Sequence, residues 1–584
     1  MTNAEIAQIL EEIADLLDIE GGDRFRVLSY RRGAEVVANH GRELAAVVSE
    51  GGAKALDALP GIGESLAKKI VELVETGKLA YHDELKAKYP PGLLDLLHVP
   101  GLGPKKVAEL YHELGIGSVE ELAAAAREHK LRDLPGMGVK TEENILHNLG
   151  VYQESGKRSR LGDILPLAER LREWLRGQPG VIAAEYAGST RRGRETIGDL
   201  DLLASSEQPA AVCQAFATSG ELAEVIAAGD TKVSGRLPGG RQVDLRVVPP
   251  ASWGAALLYF TGSQAHNVAL RTRAQKRGLT INEYGIFQLE GEQAGPRVGG
   301  ATEEEVYQAV GLPWITPELR EDRGEIQAAE QGKLPRLIEE KDLRGDLHVH
   351  TLASDGHNSL EEMVAAALAR GYEYVGISEH SQSLYVAHGL DGERLRAHRA
   401  AVDEINADLK KRGRKLEVLL GTEADILTDG SVDLPEGTWE LLDYVLASVH
   451  QGFSADADKI THRVLTALES GKVDVFCHPS GRLLNEREAY GIHLEEVIKA
   501  ARKLDVALEI NSAPERLDLD DVHARLVQEQ GGLLCINTDA HFVAWLQHMR
   551  YGVLVARRGW VEAPTVINTW PLGKLKKWLG KRRK

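Results

Sequence analysis

Hydrophobic and polar positions follow different patterns in successive parts of the 584-residue chain. The pattern of residues 1 to about 150 is typical of helices only. From about 155 to 318, runs rich in Val, Ile and Leu are separated by glycine-rich turns, and this predicts an α+β region. The segment 319–342 is polar and charged with few apolar residues, as a linker would be.

Beyond residue 342, strand-like runs each end on a polar residue, and helical stretches lie between most of them. Seven runs have this form: Asp346 to His350, Tyr374 to His380, Glu417 to Glu423, Tyr444 to His450, Val473 to His478, Val506 to Asn511, and Leu533 to Asp539. Repeated strand-helix units with functional groups at the C-terminal ends of the strands are typical of parallel barrels of the TIM type. The chain is therefore predicted to be multi-domain, with a TIM-like barrel at its C-terminal end.

Composition argues against a membrane-spanning protein, a disulfide-rich protein and a protein that binds phosphate indiscriminately. A net charge of −18 argues against indiscriminate phosphate binding, since DNA-backbone contacts need lysines and arginines, so local basic patches must make such contacts. No apolar run approaches the ~20 residues of a membrane span, and three cysteines cannot build a disulfide framework. We expect a cytoplasmic protein without membrane contact, and a monomer because no heptad pattern or long apolar stripe is present.

A short element recurs three times in the N-terminal part, at Leu59 to Gly63, Val99 to Gly103 and Leu134 to Gly138. In each copy a proline stops the preceding helix, and two glycines permit a tight hairpin. Exposed amides of the following helix can then hold a DNA phosphate. The element resembles the helix-hairpin-helix motif of DNA binding without sequence specificity, and its glycines are candidate DNA-binding residues: Gly61, Gly63, Gly101, Gly103, Gly136 and Gly138.

A candidate metal site begins with Asp199 and Asp201, which flank Leu200. Side chains two apart on a strand point the same way, so the two carboxylates share one face while Leu200 turns into the core. A third carboxylate, Asp244, lies in the strand-like run Gln242 to Val248. Carboxylate oxygens suit Mg²⁺ or Mn²⁺, and two such ions would activate an attacking 3′-hydroxyl and stabilise a leaving pyrophosphate.

Preceded by Gly188 and Ser189 at this spacing, the aspartates closely resemble those of family X DNA polymerases, of which DNA polymerase beta is the familiar member. The resemblance implies an α+β nucleotidyltransferase palm and thumb in which Asp199, Asp201 and Asp244 hold the metals. It also implies a nucleotide-binding set: Gly188, Ser189, Arg192 and Gly198 at the triphosphate, Tyr259, Phe260 and Gly262 at the sugar, and Asn267 and Arg271 in the minor groove. Gln242 and Gln264 depart from several members, which bears on fidelity and sugar selectivity.

Lys69 aligns with the lysine that forms a Schiff base with an abasic sugar in lyase-competent members of that family. Such chemistry requires a neutral amine and a pocket for a 5′-phosphate. Asp57 and Ser65 stand where those members carry lysine, although Arg26 and Tyr30 are retained. Two interpretations therefore stay open, a lyase nucleophile and a lysine that only contacts the DNA backbone.

Histidines concentrate in the last part of the chain, where 13 of the 20 follow residue 342. His348 and His350 are two apart on one predicted strand and can ligate together. With the polar residues at the other strand ends they form a set of nine candidate metal ligands: His348, His350, Asp355, His380, Glu423, His450, His478, Asp539 and His541. Nine oxygen and imidazole ligands are enough for two or three ions, and they suit Zn²⁺, Mn²⁺ or Fe²⁺ better than Mg²⁺.

Five segments of this part resemble the polymerase and histidinol phosphatase (PHP) domain: Asp346 to Thr351, Ser354 to Gly356, Ser378 to His380, Cys477 to Gly481 and Thr538 to His541. The resemblance implies a distorted (β/α)7 barrel in which all nine ligand positions are filled. It implies hydrolysis of a phosphodiester or phosphomonoester by metal-activated water. In bacterial family X enzymes it further implies 3′-5′ exonuclease, 3′-phosphatase and abasic-site endonuclease action.

These observations predict the following domains: an N-terminal lyase-like domain of the 8 kDa type (1–88), a helix-hairpin-helix DNA-binding domain (89–153), the palm (154–254), the thumb (255–318), a linker (319–342) and the PHP phosphoesterase domain (343–584). The first two domains are expected to be all-α.

The predicted function is a DNA polymerase that fills short gaps in DNA repair, with a 3′-5′ exonuclease that processes 3′ ends in the barrel. Its partners would be gapped or primer-template DNA and dNTPs, which places it at the nucleoid. A small-molecule phosphatase of the histidinol phosphatase type is one alternative, but it leaves the hairpin elements and the aspartate triad unexplained. A DNA-binding scaffold with inactive sites is the other, and the complete ligand sets oppose it.

Overall fold

A computed structural model describes residues 1–581 except 2, 39, 41–43, 60, 100, 101, 133, 135, 136, 139–141, 143, 144, 146–157 and 292. The chain forms two compact units, residues 1–157 and residues 158–584. None of the described helices is both long enough and apolar enough to span a membrane.

The described part of the first unit is helical, as the sequence predicts. Its helices are α1 (Asn3–Ile19), α2 (Arg24–Ala38), α3 (Leu44–Asp57), α4 (Glu64–Thr76), α5 (Ala80–Lys86), α6 (Pro104–Leu114) and α7 (Val119–Arg127). Apolar side chains of α1 to α5 form one core, and those of α6, α7 and the flanking turns form a second.

The three copies of the hairpin element share one turn. Each is closed by a backbone hydrogen bond of 3.0 Å: Ile62 N to Leu59 O, Leu102 N to Val99 O, and Met137 N to Leu134 O. Gly63 and Gly103 are the extended residues that precede α4 and α6, so the amides of both helix starts follow directly. Gly138 O accepts a hydrogen bond from Glu142 N, whereas Gly101 and Gly136 lie outside the described residues.

The palm begins the second unit. Its strands are β1 (Ser159–Arg160), β2 (Val181–Tyr186), β3 (Thr196–Ile197), β4 (Leu200–Ser206), β5 (Glu224–Ala228), β6 (Lys232–Arg236) and β7 (Gln242–Val248), and its helices are α8 (Leu161–Arg176), α9 (Gly188–Arg191) and α10 (Pro209–Ala217). Five strands form one sheet in the order β2-β4-β7-β6-β5, in which β4 and β7 are parallel.

The thumb has its own apolar core. Its elements are α11 (Trp253–Thr261), α12 (Gln264–Gln275), an antiparallel sheet of β8 (Leu279–Asn282), β9 (Gly285–Glu290) and β10 (Gln293–Gly299), and α13 (Glu303–Ala309). Both α+β regions agree with the predicted fold class.

The C-terminal part contains a parallel sheet of seven strands in chain order, which confirms the predicted barrel. The strands are β11 (Gly345–Val349), β12 (Tyr374–His380), β13 (Glu417–Asp425), β14 (Leu446–Ser448), β15 (Val475–Phe476), β16 (Ala507–Asn511) and β17 (Leu533–Asn537). A parallel bridge between Val349 and Ala540 joins the first strand to the segment after the last. All seven strands therefore direct their C-terminal ends to one face.

Helices cover the outside of the barrel. They are α15 (Leu360–Ala369), α16 (Gly392–Lys411), α17 (Ala457–Glu469), α18 (Leu494–Leu504), α19 (Asp521–Gln530), α20 (Met549–Arg558) and α21 (Leu572–Leu579), and α14 (Glu325–Glu330) precedes the first strand. One continuous apolar cluster includes residues of the palm and of the barrel.

The segment 319–342, expected to be a linker, is folded. It contains α14, and the side chains of Arg320, Glu321 and Glu325 in it are buried. Glu321 pairs with Arg558 of α20 at 2.8 Å, so its charge is neutralised inside the protein. A polar sequence alone does not distinguish a solvated linker from a segment whose charges find buried partners far along the chain.

Candidate active sites

The C-terminal face of the barrel collects the predicted ligands. Eight of the nine belong to four overlapping groups of side chains whose ligand atoms lie within 4.8 Å of one another: His350, Asp355, His380 and His541; His348, His350 and Asp539; His348, Cys477 and Glu509; and His380, Glu423 and His450. The ninth, His478, places Nε2 2.9 Å from Glu423 Oε1. The structure thus brings together the whole set that the sequence predicts.

Glu423, in β13, lies at the centre of this cluster. Its Oε1 is 3.2 Å from His450 Nε2, and its Oε2 is 2.9 Å from His380 Nδ1 and 3.3 Å from His348 Nε2. Burial alone would raise the pKa of Glu423, but the neighbouring histidines lower it well below its ordinary value. A buried carboxylate that stays ionised among imidazoles is suited to bridge two cations.

The donor set fits divalent ions. Burial, with the charges of His541 and His380 beside it, lowers the pKa of His350 to about 4, so this imidazole is neutral, as a metal ligand must be. Both ring nitrogens of His350 and Nε2 of His348 are buried without a hydrogen-bond partner in the described structure. Leaving such atoms unsatisfied costs about 1–3 kcal/mol each, and coordination to a cation would remove that cost.

Sequence reasoning missed Glu509. This fully buried carboxylate in β16 accepts a hydrogen bond from His348 Nδ1 at 2.7 Å and from His478 N at 2.9 Å, and Asn537 Nδ2 donates to it at 2.9 Å. A carboxylate on the far ring nitrogen fixes the orientation and tautomer of a metal-binding histidine. The available signal was its position two residues before Asn511, on the same face of an otherwise apolar strand.

Glu379 was also missed, and it acts on the loop that carries Asp355. Its carboxylate accepts hydrogen bonds from Thr351 N at 3.2 Å and from the hydroxyl of Ser354. These contacts fix the chain between His350 and Asp355. Glu379 therefore supports the ligand loop from β12, while the next residue, His380, points into the cluster.

The palm triad is arranged differently. Asp201 and Asp244 are direct partners across the parallel pair β4 and β7, and Asp199 is exposed just before β4. Asp244 is held by Lys232, whose Nζ lies 2.9 Å from its Oδ2. Among the described residues, every group of three or more ligand atoms within 4.8 Å of one another lies in the barrel. The three palm carboxylates do not form such a group, although Asp201 and Asp244 are aligned.

The palm nevertheless fits a divalent cation. Burial and the negative charges of Asp199 and Asp244 raise the pKa of Asp201 to about 7. Mg²⁺ and Mn²⁺ prefer such oxygen ligands, and a bound ion would neutralise the charges of these neighbouring carboxylates.

The loop after β2 brings Gly188 against this triad. Gly188 has a positive φ of 58°, and a Cβ placed on it would lie 2.4 Å from Asp201 Oδ2, so a larger residue would strain the backbone and displace this carboxylate. Ser189 is half-buried in α9, and Gly198 is half-buried just before Asp199. The candidate triphosphate loop and the candidate metal ligands are therefore contiguous.

Arg192 directly follows α9 and is half-buried. Its Nε donates to Glu321 Oε1 at 3.0 Å, and its Nη1 donates to Thr261 O. A Cβ on Gly262 would lie 3.1 Å from the same Nη1, so the segment after α11 closes on this guanidinium.

The remaining nucleotide-binding candidates lie on α11 and α12. Tyr259 and Phe260 are half-buried with ring centroids 5.1 Å apart, and Arg246 of β7 lies 4.7 Å from the Phe260 ring centre. Asn267 Nδ2 donates to Tyr259 O at 2.8 Å, while its buried Oδ1 has no hydrogen-bond partner in the described structure. Arg271 is exposed one turn further along α12.

Lys69, on α4, lies beside Ser65 and Tyr81. Its Nζ donates to Ser65 Oγ at 3.2 Å and lies 5.5 Å from the centre of the Tyr81 ring. Arg26 Nη2 donates to Tyr81 OH at 2.8 Å. Partial burial and the charge of Arg26 lower the pKa of Lys69, which favours its neutral form.

Four protein-family models match the chain. A helix-hairpin-helix domain matches residues 1–79, and a SAM-like helix-hairpin-helix tandem matches residues 93–149. The DNA polymerase beta thumb matches residues 256–321, and the PHP domain matches residues 346–513.

Similar proteins include the DNA polymerase/3′-5′ exonuclease PolX of Bacillus subtilis, which is 38% identical over 570 residues and 97% of both chains. DNA polymerase lambda of Rattus norvegicus is 26% identical over 55% of this chain and 56% of its own. A probable phosphatase of Shewanella sediminis is 28% identical over 39% of this chain and 89% of its own. With its thumb, hairpin and PHP matches and a relative similar over nearly its whole length, the chain belongs to the bacterial family X DNA polymerases that carry a PHP domain.

Proposed function

We propose that this protein is a DNA-directed DNA polymerase that fills short gaps, with a 3′-5′ exonuclease in its barrel. The observation that carries the proposal is the register of Asp201 with Asp244 beside Gly188, in the same chain as a buried cluster of nine barrel ligands. The similarity to the PolX protein along 97% of the chain supports both activities together.

At the palm, Asp199, Asp201 and Asp244 would hold two Mg²⁺ or Mn²⁺ ions beside a primer terminus. The chemistry that such ions supply is activation of the 3′-hydroxyl and neutralisation of the departing pyrophosphate. Ser189, Arg192 and the backbone at Gly188 and Gly198 would orient the triphosphate, which Tyr259, Phe260 and Gly262 would approach from the sugar side. Asn267 and Arg271 would contact the minor groove of the new base pair.

In the barrel, the nine ligands would hold two or three Zn²⁺, Mn²⁺ or Fe²⁺ ions. The chemistry supplied by bound ions is activation of water and neutralisation of charge on the phosphate. Arg516 Nε lies 3.7 Å from Asp539 Oδ2, so its guanidinium can hold a substrate phosphate beside the cluster. Glu509 keeps His348 oriented throughout, through the 2.7 Å contact with its Nδ1.

The first-unit hairpins would hold the DNA of a gap through backbone amides at Gly61, Gly63, Gly101, Gly103, Gly136 and Gly138. This contact would place the protein on the bacterial chromosome, as a monomer in the cytoplasm. The small-molecule phosphatase, one alternative from the sequence, leaves the hairpins and the palm aspartates unexplained, and the barrel ligand cluster opposes the other, an inactive scaffold.

The test is primer extension on gapped DNA with Mn²⁺, and degradation of the same strand without dNTPs, for wild type, Asp199→Ala and His348→Ala. We expect Asp199→Ala to lose extension by at least about 10³-fold and keep degradation, and His348→Ala to do the reverse. Loss of both activities in either variant, or retention of extension in Asp199→Ala, contradicts separate sites. Hydrolysis of small phosphate esters without action on DNA would instead favour the phosphatase alternative.

A second activity, abasic-site lyase chemistry, is favoured by the lowered pKa of Lys69. We expect borohydride to trap wild type on DNA with a 5′ abasic sugar phosphate and to trap Lys69→Ala less than about one tenth as much. Lys68→Ala is the matched control, because Lys68 is exposed on the same helix and pairs with Glu64. Equal trapping of both variants, or none by wild type, leaves Lys69 as a backbone contact.

A further inference from the structure

The loops that follow β11 and β12 carry exposed apolar side chains beside the barrel ligands. Within the described barrel, residues 343–581, the exposed large hydrophobic residues are Leu352, Tyr385 and Val386, which expose 64%, 80% and 88% of their surface. Both loops leave the C-terminal ends of their strands, where the ligands lie. An exposed apolar group concentrated at one functional face indicates a surface that is covered when a ligand binds.

A run of aromatic rings extends this surface from the ligand His541. The ring of Trp545 lies 5.9 Å from that of His541 and 4.9 Å from that of Phe542. Phe542 in turn stacks on the exposed His357, with ring centres 4.1 Å apart and 10° between the planes. The rings therefore lead from the metal-ligand cluster to solvent.

Backbone and side-chain contacts hold these loops together. Asn358 O accepts a hydrogen bond from Leu352 N and Asn358 Oδ1 accepts one from Val543 N, both at 3.0 Å, and His357 N donates to His541 O at 2.8 Å. Arg394 donates to Ala353 O and, at 2.7 Å, to His388 O, which ties the loop of Leu352 to the loop of Tyr385. We call this set the apolar rim: Leu352, His357, Tyr385, Val386, Phe542 and Trp545.

We propose that the apolar rim binds the unpaired nucleotides at the 3′ end of a DNA strand whose terminal phosphodiester lies at the ligand cluster. The proposal rests on the exonuclease function proposed above. Aromatic rings stack on the π-face of any base, so such a surface holds single-stranded DNA without selecting a sequence. The net charge of −18 leaves little general attraction for phosphate, which makes base stacking the stronger source of affinity here.

The test compares two 5′-labelled single-stranded oligonucleotides that differ only in whether their last four nucleotides carry bases or are abasic. We expect the double variant His357→Ala, Tyr385→Ala to lower kcat/KM about tenfold on the base-bearing strand and to leave the abasic strand unchanged. Tyr385→Phe keeps the ring and is expected to match wild type. His462→Ala, an exposed histidine on α17, is the matched control for a lost imidazole.

A readout without catalysis uses a strand with 2-aminopurine at its 3′ end in the presence of EDTA. Stacking on the rim quenches this fluorescence, and the double variant is expected to need about tenfold more protein for half of the quenching. Equal losses on both strands, or no loss on either, overturn the proposal, since the rim would then only support the ligand loops. If wild type degrades neither strand, the exonuclease function fails, and the quenching alone decides whether the rim binds DNA.

Discussion

In the barrel, the ligands lie in β11, β12 and β13 and in the segments that follow β11, β14, β15 and β17, and eight of the nine lie in groups within 4.8 Å. In the palm, three aspartates lie near the starts of two neighbouring strands, and Asp201 and Asp244 are aligned while Asp199 is exposed. The barrel ligands are mainly imidazoles with buried carboxylates between them. The palm ligands are all carboxylates.

This difference indicates how each site acquires its ions. In the barrel, carboxylates such as Glu423 and Glu509 pair with the imidazoles and orient them, so the cluster can be complete before substrate arrives. In the palm, burial and the charges of Asp199 and Asp244 raise the pKa of Asp201 to about 7, so we expect the three carboxylates to gather when cations bind. We therefore expect the barrel site to be formed before substrate binds, and the palm site to be completed by the nucleotide and its ion.

Gly188→Ala is expected to impair the palm site most strongly while leaving the barrel site intact. The new Cβ would lie 2.4 Å from Asp201 Oδ2, so either the aspartate or the phosphate loop must move. We expect extension to fall by at least about 100-fold, since a displacement of about 1 Å at a reacting centre has that effect, while degradation is unchanged. The measurement is single-nucleotide gap filling beside degradation of the same strand.

Gly220→Ala is the matched control for that variant. Its φ of 78° is also positive, but a Cβ there meets nothing within 4 Å, so the backbone strain is similar and the clash is absent. We expect full extension from it. Equal loss in both variants would show that strain, and not contact with Asp201, controls the palm.

Glu509→Gln tests whether the barrel is built in advance. Glutamine keeps the shape but loses the charge that holds His348 Nδ1 at 2.7 Å. We expect affinity for Mn²⁺ and the rate of degradation at low Mn²⁺ to fall about 10- to 100-fold, with partial recovery at high Mn²⁺ and normal extension. The control is Glu417→Gln, because Glu417 begins β13 at the end away from the ligand Glu423. A loss that no concentration of Mn²⁺ restores would mean that Glu509 supports the fold instead.

Much of the barrel follows from its sequence, because six of the seven predicted strand runs end on a residue that is also a candidate ligand. The runs ending at His380 and Glu423 predict both an element and its function. Glu509 was missed because it lies inside its strand, and its signal in the sequence is only its position two residues before Asn511. The burial of Glu321 in the segment 319–342 was missed because its partner Arg558 lies 237 residues away. Long-range charge pairing has no local pattern in a sequence.

One such set of charge pairs connects the palm site to the barrel. Glu321 accepts from Arg192 Nε at 3.0 Å and from Arg558 Nη1 at 2.8 Å, and the same Nη1 donates to Arg192 O. Arg558 Nη2 also lies 2.8 Å from Asp521. The barrel helix α20 therefore holds, through Glu321, the guanidinium proposed to orient the triphosphate.

Arg558→Lys should separate this positioning role from general stability. Lysine keeps the charge but has no planar fork to span Glu321 and Asp521, so Arg192 loses its fixed orientation. We expect KM for the dNTP to rise about tenfold with little change in kcat for extension, and degradation to stay normal. Arg557→Lys is the control, because Arg557 is the neighbouring arginine and pairs with Glu318 instead. If extension and degradation fell together with the melting temperature, Arg558 would act only by joining the palm to the barrel.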